Sequence, residues 1–422
     1  MMRIVATLLA CLAGLPAAAE LRGHGGPVRA VAVSPDGRLA LSGSFDQSAI
    51  LWAIDGGAAL AVLRFHAGAV NAAAALPDGR FATGGEDGRI ALWRPGEAQP
   101  ERVVEGHAGP VVGLAVSPDG RAIASASWDG TARVTPLDGA APARVLSGHA
   151  GNVNAVAFLP DGRVVTAGYD ATLRVWPAEG APGVRQTATP LNALAAAPDG
   201  TLAAGGADGG VMLFSADGAP LGTIRAGDTP VIALGFSPDG ARLAAATIGG
   251  AVAVIERASL KPVFTLVGPG LPVWSLAFRP DGTELLTGGA DRLVRRWSLR
   301  DGQHIGAVAL ARPEDFLAAF RGDRGAELFQ ACAACHTLTP DGGNRAGPTL
   351  HGIFGRRIAS LPGYNFSPAL KDLDIVWTPE TVGRLFEVGP QAYTPGTKMP
   401  EQRIGSAADR EALTRFLEKA TR

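Results

Sequence analysis

From Leu21 to about Ala309 the chain repeats itself, and that periodicity restricts the fold more than any other feature. The tripeptide Pro-Asp-Gly recurs at Pro35, Pro77, Pro118, Pro160, Pro198, Pro238 and Pro280, seven times at intervals of 38 to 42 residues. Proline presets the first angle of a tight turn and glycine accepts backbone angles closed to other residues, so each copy marks a reversal between strands. An apolar run precedes each turn, as in Val28 to Val33 or Val231 to Phe236, and a second comes after it. A third run commonly ends in an aromatic residue: Trp52, Trp93, Trp176, Phe214 or Trp297. In each of these five units an aspartate stands six positions earlier, at Asp46, Asp87, Asp170, Asp208 and Asp291.

These units resemble the WD40 repeat family, whose Gly-His dipeptide also occurs at Gly23-His24, Gly106-His107 and Gly148-His149. The resemblance implies an all-β, seven-bladed propeller over residues 20–310, with four antiparallel strands per blade. The third unit has Thr135 in place of the aromatic; the sixth has Gly249 for the aspartate and Ile255 for the aromatic. The sixth blade is therefore expected to be the least regular. Closure of the last blade could use Glu20–Arg22 or the segment 304–309, and the longer, more apolar second segment is the expected strand. His24, His66, His107 and His149 all occupy the Gly-His position or its variant, where histidine is usually a structural hydrogen-bonding group. No G-x-S-x-G or P-loop string is present. The propeller therefore reads as a binding platform.

Beyond a linker at 311–320 the pattern changes. Cys332-Ala-Ala-Cys335-His336 places two thiols where each can add across a haem vinyl group, with an imidazole next to them to reach the iron. A redox dithiol, half a zinc site or two buried cysteines are the competing readings. Zinc would need further ligands, and apart from His336 this part of the chain offers only His351. The thioredoxin-like βαβ setting of a redox dithiol does not precede the motif. Downstream stands Pro-Gly-Thr-Lys-Met399-Pro, with the only methionine in the last third of the chain, a soft ligand of the kind that accompanies histidine on haem iron. Asp323 is the expected cap of a helix that turns Leu328 and Phe329 toward the cofactor, and Ser406 that of a helix with Leu413, Phe416 and Leu417 in one stripe.

Residues 321–422 resemble class I cytochrome c of the mitochondrial type, a small all-α domain, so the whole chain reads as multidomain. The resemblance implies one covalently bound haem c, with Cys332 and Cys335 as thioether sites and His336 and Met399 as axial ligands of the iron. Gly347-Pro348 matches the segment whose carbonyl accepts the ligand histidine's other N–H. Arg356, Tyr364 and Trp377 match residues around the haem propionates, and Thr397 matches a loop threonine that bonds a propionate. Phe366 and Phe386 stand where many relatives carry tyrosine, and Glu401 replaces the aromatic at the haem edge. His351 matches a histidine that is not a ligand.

Met1 to Ala19 reads as a secretory signal, with Arg3 at the positive start, an apolar core from Ile4 to Leu15, and Ala17-Ala18-Ala19 before the cleavage point. Periplasmic location is the expectation. No segment has the uninterrupted apolar length of a membrane span, and a formal net charge of −1 without basic runs argues against nucleic acid as a partner. The expected function is electron transfer rather than catalysis, with the propeller docking a redox partner such as a dehydrogenase, a reductase or another cytochrome. The alternative is an oxidoreductase propeller whose built-in electron acceptor is the cytochrome.

Overall fold

The computed structural model describes residues 20–268, 270–305, 317, 319–330, 332–333, 335–339, 344, 347–362, 364, 366–397, 399 and 402–421. The expected signal segment at 1–19, most of the expected linker and Glu401 lie outside the described residues.

Seven four-stranded antiparallel sheets form the propeller. Blade one comprises the strands Val28–Val33, Leu39–Ser44, Ala49–Ala53 and Ala58–Leu63, and each Pro-Asp-Gly sits in the turn between a blade's first two strands. The first strand of each blade carries a register shift at the same place, between Val28 and Ala30 in blade one and between Val231 and Ala233 in blade six. Blade six thus keeps the four strands and the bulge despite Gly249 and Ile255, so its expected irregularity is not seen in the backbone. Backbone pairing holds it, and Ile255 is buried with Leu243 and Val211.

Part of the glycine content serves blade-to-blade packing rather than turns. A Cβ at Gly43, Gly84, Gly205 or Gly288 would lie within 2.6 Å of the Cγ1 of a valine on the next blade, Val70, Val111, Val231 and Val28 in turn. Only a residue without a side chain lets the sheets close to that distance.

Ring closure corrects the expectation. Glu20–Arg22 is the strand that pairs with the last blade, with Glu20 opposite Arg295 and Leu21, 1% exposed, opposite Val294. Among the described residues, the chain beyond the blade contributes a bridge between His304 and Trp297, with Ile305 N donating to Arg296 O; residues 306–309 lie outside the described residues. The outer edge is therefore shared by two distant segments. Apolar length is a poor guide here because the outer edge of a blade is half solvated and does not demand a long apolar strand. Arg296, 2% exposed, crosses the seam: its Nε and Nη2 donate to Glu284 and its Nη1 to Ile54 O of blade one.

Within blades one, two and four a directed chain of hydrogen bonds runs from an indole to a carboxylate. In blade four Trp176 Nε1 donates to Thr166 Oγ1 at 2.9 Å, that hydroxyl lies 2.7 Å from His149 Nε2, and His149 Nδ1 lies 3.0 Å from Asp170. The Asp170 carboxylate only accepts, so Nδ1 carries a proton, and in the neutral imidazole the hydroxyl then accepts from Trp176 and donates to Nε2. Burial pushes His149 and His107 below the ordinary imidazole value although Asp170 and Asp129 pull upward. Burial opposes the charge of those two carboxylates, but hydrogen bonds hold both down to about 2.

The two effects act in the same direction. As pH falls below the unfolded imidazole value of 6.5, the unfolded chain takes up protons that the folded histidines resist. Below the unfolded carboxylate value of 3.8, down to about 2, the aspartates withdraw their share. Urea midpoints measured by circular dichroism should be flat between about pH 7.5 and 8.5, lower near pH 5.5 and lower again near pH 3. His149→Ala, which strands the Thr166 hydroxyl, should cost about 1–3 kcal/mol at neutral pH.

The helical domain contains α1 (Arg324–Phe329), α2 (Pro368–Lys371), α3 (Pro379–Val388), α4 (Pro390–Tyr393) and α5 (Ala407–Ala420) among the described residues. Asp323 caps α1, accepting from Gly325 N and Ala326 N, and Ser406 caps α5, accepting from Asp409 N. Helices α1 and α5 cross where a Cβ on Gly325 would lie 2.2 Å from Ala412 O. Phe329 and Phe416 meet across that crossing with ring centroids 5.6 Å apart and ring planes tilted by 44°. No described helix is long and apolar enough to cross a membrane.

Candidate functional site

Helices α1, α3 and α5 enclose an apolar cavity of about 1180 Å³, counting the solvent at its mouth. Phe329, Val382, Leu385, Phe386, Leu413 and Leu417 form much of its wall. Capping explains the placement: Thr378 and Thr381 form a reciprocal box at the start of α3, fixing the turn from which Val382, Leu385 and Phe386 face inward. Leu328, expected to face the cofactor with Phe329, packs against the core instead and does not line the cavity. On a helix, neighbouring residues point about 100° apart, so only one of the pair can face inward.

Cys332, Cys335, His336 and Met399 all lie on this cavity. Cys332 is buried, and burial together with the neighbouring Cys335 pushes its thiol up to about 12. His336 Nδ1 lies 2.8 Å from Pro348 O. Donation to that carbonyl leaves Nε2 without a proton, the form required of a metal ligand. Gly347 leaves room for the ring, since a Cβ there would stand 2.3 Å from Cε1 and 2.7 Å from Nε2 of His336. Thr397 lines the cavity too, and its hydroxyl accepts from Met399 N at 3.1 Å.

Tyr364, Phe366 and Trp377 also line the cavity. Arg356 does not: its Nη1 and Nη2 donate to Thr349 O and His351 O, so the guanidinium pins the 349–351 loop. His351 does not reach the cavity either.

Asp46 and Arg64, both from blade one, carry no sequence signal for this site, yet they line the same cavity. Arg64 Nε donates to Tyr364 Oη at 2.9 Å, joining positions separated by 300 residues. Gly25 of the propeller is so close to Cys335 that a Cβ at Gly25 would stand 2.0 Å from Sγ. The rim of the cavity thus rests against blade one.

The donor set fits a haem of the c type. Paired thiols at two-residue spacing, an imidazole of fixed tautomer, a thioether and apolar walls suit a flat apolar macrocycle, and no cluster of three or more His, Cys, Asp or Glu suited to a bare metal ion occurs among the described residues.

Comparison with known proteins agrees with both halves. The family described as WD domain, G-beta repeat matches residues 17–53, 57–94, 98–135, 140–177 and 260–298, and the family described as Cytochrome c matches 322–421. The chain is similar to the cytochrome c of Gibberella zeae, 42% identical over 100 residues that make up 24% of this chain and 93% of that protein. The cytochromes c of Cochliobolus lunatus and Arabidopsis thaliana are each 43% identical over 100 residues, 24% of this chain and 92% and 88% of theirs.

Proposed function

On the premise that this chain belongs to the cytochrome c family through residues 322–421 and carries a seven-bladed WD40 propeller ahead of them, we propose that it is a periplasmic, mono-haem electron carrier whose propeller docks a redox partner protein. The observation that carries the reading is the convergence of Cys332, Cys335, His336 and Met399 on one apolar cavity. Cys332 and Cys335 would hold a haem through thioether bonds, with His336 and Met399 as the axial ligands. Bound there, haem c supplies a one-electron ferric/ferrous couple.

The residues around it decide how that couple is used. Pro348 O fixes the imidazole, and the apolar walls contributed by α3 and α5 exclude water. With His336 and Met399 both committed to the iron, the chain's own side chains would take the places a substrate would need, which favours electron transfer over catalysis at this centre. The segment before Glu20 has the character of a cleavable secretory signal and supports the periplasmic assignment. The repeated, rigid blades support the docking role, in which a tethered platform raises the local concentration of a partner at the redox domain.

The full chain, purified from a periplasmic fraction, should retain one haem per polypeptide after denaturation and show a sharp α-band when reduced. Its weak near-infrared sulfur-to-iron feature should disappear entirely in Met399→Ala. Haem lost on denaturation, or a near-infrared feature that survives in Met399→Ala, would overturn the assignment.

A further inference from the structure

Arg64 poses a problem that the propeller does not solve. It is half-buried in blade one; its Nε is engaged by Tyr364 Oη, while its Nη1 is buried without a hydrogen-bond partner. No carboxylate among the described residues forms an ion pair with it. Asp46, the one acidic side chain beside it on the cavity, is already committed: Oδ2 accepts from Gly25 N and bonds His24, while Oδ1 accepts from Ser48 N and Ser48 Oγ. A partly buried guanidinium with an idle donor and no anion is costly unless an anion arrives.

The same side chain lines the cavity proposed to hold the haem, and among the described lining residues it is the only arginine or lysine. Arg356, the expected propionate partner, is turned away into the 349–351 loop. A haem brings two carboxylates. We infer that Arg64 of the propeller pairs with a haem propionate, so that blade one completes the cofactor site of the other domain. This inference rests on the haem reading above. Tyr364 is the positioning residue: its hydroxyl accepts from Nε, and its ring lies 5.7 Å from the guanidinium carbon, which leaves Nη1 for a different acceptor.

The consequence can be measured. A cation held beside the porphyrin favours the reduced, less positive state, so removing it lowers the midpoint potential. Arg64→Gln in the full chain should retain covalent haem and the near-infrared methionine feature. Its midpoint potential should fall by the equivalent of about a tenfold change in the reduction equilibrium, ~59 mV for one electron. Arg64→Lys keeps the charge and should stay close to the wild-type potential, while the propionate bending mode in its resonance Raman spectrum shifts because the forked donor is lost.

An unchanged potential in Arg64→Gln would overturn the inference. If that variant does not fold, an Arg64→Lys propionate mode identical to wild type would do the same. Wild-type protein without covalent haem would instead sink the functional reading itself, so the two failures are distinguishable.

Discussion

Gly347→Ala should abolish the low-spin histidine–methionine spectrum of the haem-loaded protein. The added methyl would stand 2.3 Å from Cε1, 2.6 Å from Nδ1 and 2.7 Å from Nε2 of His336, closer than any real Cβ contact. Something must shift, and the imidazole is the nearest movable group; its displacement also breaks the 2.8 Å bond to Pro348 O that sets the tautomer. The expected result is a high-spin or heterogeneous spectrum and a fall of tenfold or more in the yield of correctly ligated protein. Gly383→Ala, on α3 with nothing within 4 Å of the new methyl, is the control and should leave the spectrum unchanged while adding up to about 1 kcal/mol of helix stability. A normal spectrum for Gly347→Ala would show that the ring does not need the space this glycine leaves.

Glu284→Ala should be the most damaging single change at the propeller seam. Glu284 accepts from Arg296 Nε and Nη2, each at 2.9 Å, and from Arg279 Nη1 at 3.0 Å, while Arg296 is 2% exposed. Truncation leaves a buried guanidinium with much of its compensation gone, which costs about 3–5 kcal/mol. The expected fall in thermal midpoint is on the order of 10 °C, read by circular dichroism on the full chain. Glu284→Gln, which keeps the bulk and one acceptor oxygen, should lose roughly half as much. Equal midpoints for wild type and Glu284→Ala would mean that solvent reaches Arg296.

How much the sequence discloses depends on where the information lies. The Pro-Asp-Gly turns, the aspartate and aromatic residue of five of the seven units and the Cys332-Ala-Ala-Cys335-His336 string are local signals, and the seven blades and the clustering of the candidate ligands agree with them. Ring closure escapes such a reading because the pairing of Glu20–Arg22 with the last blade depends on hydrogen bonds between distant backbones, to which side-chain pattern is indifferent. Arg356 matches a family pattern by position, but which way a long side chain turns is decided by nearby carbonyls, here those of Thr349 and His351. Arg64 has no sequence signal at all. It lies in blade one, two residues before His66, which holds the Gly-His position with Phe65 in place of the glycine, and only its approach to Tyr364 brings it to the cavity.

The pairing of Glu20–Arg22 with the seventh blade also dictates a timetable for biosynthesis. A ribosome must finish nearly the whole ring before the first three strand residues meet their mate, so earlier blades wait with an open flank. Such a latch makes completion of the platform a late event and leaves the folding chain with an unlatched stage whose strand edges are open to wrong pairing.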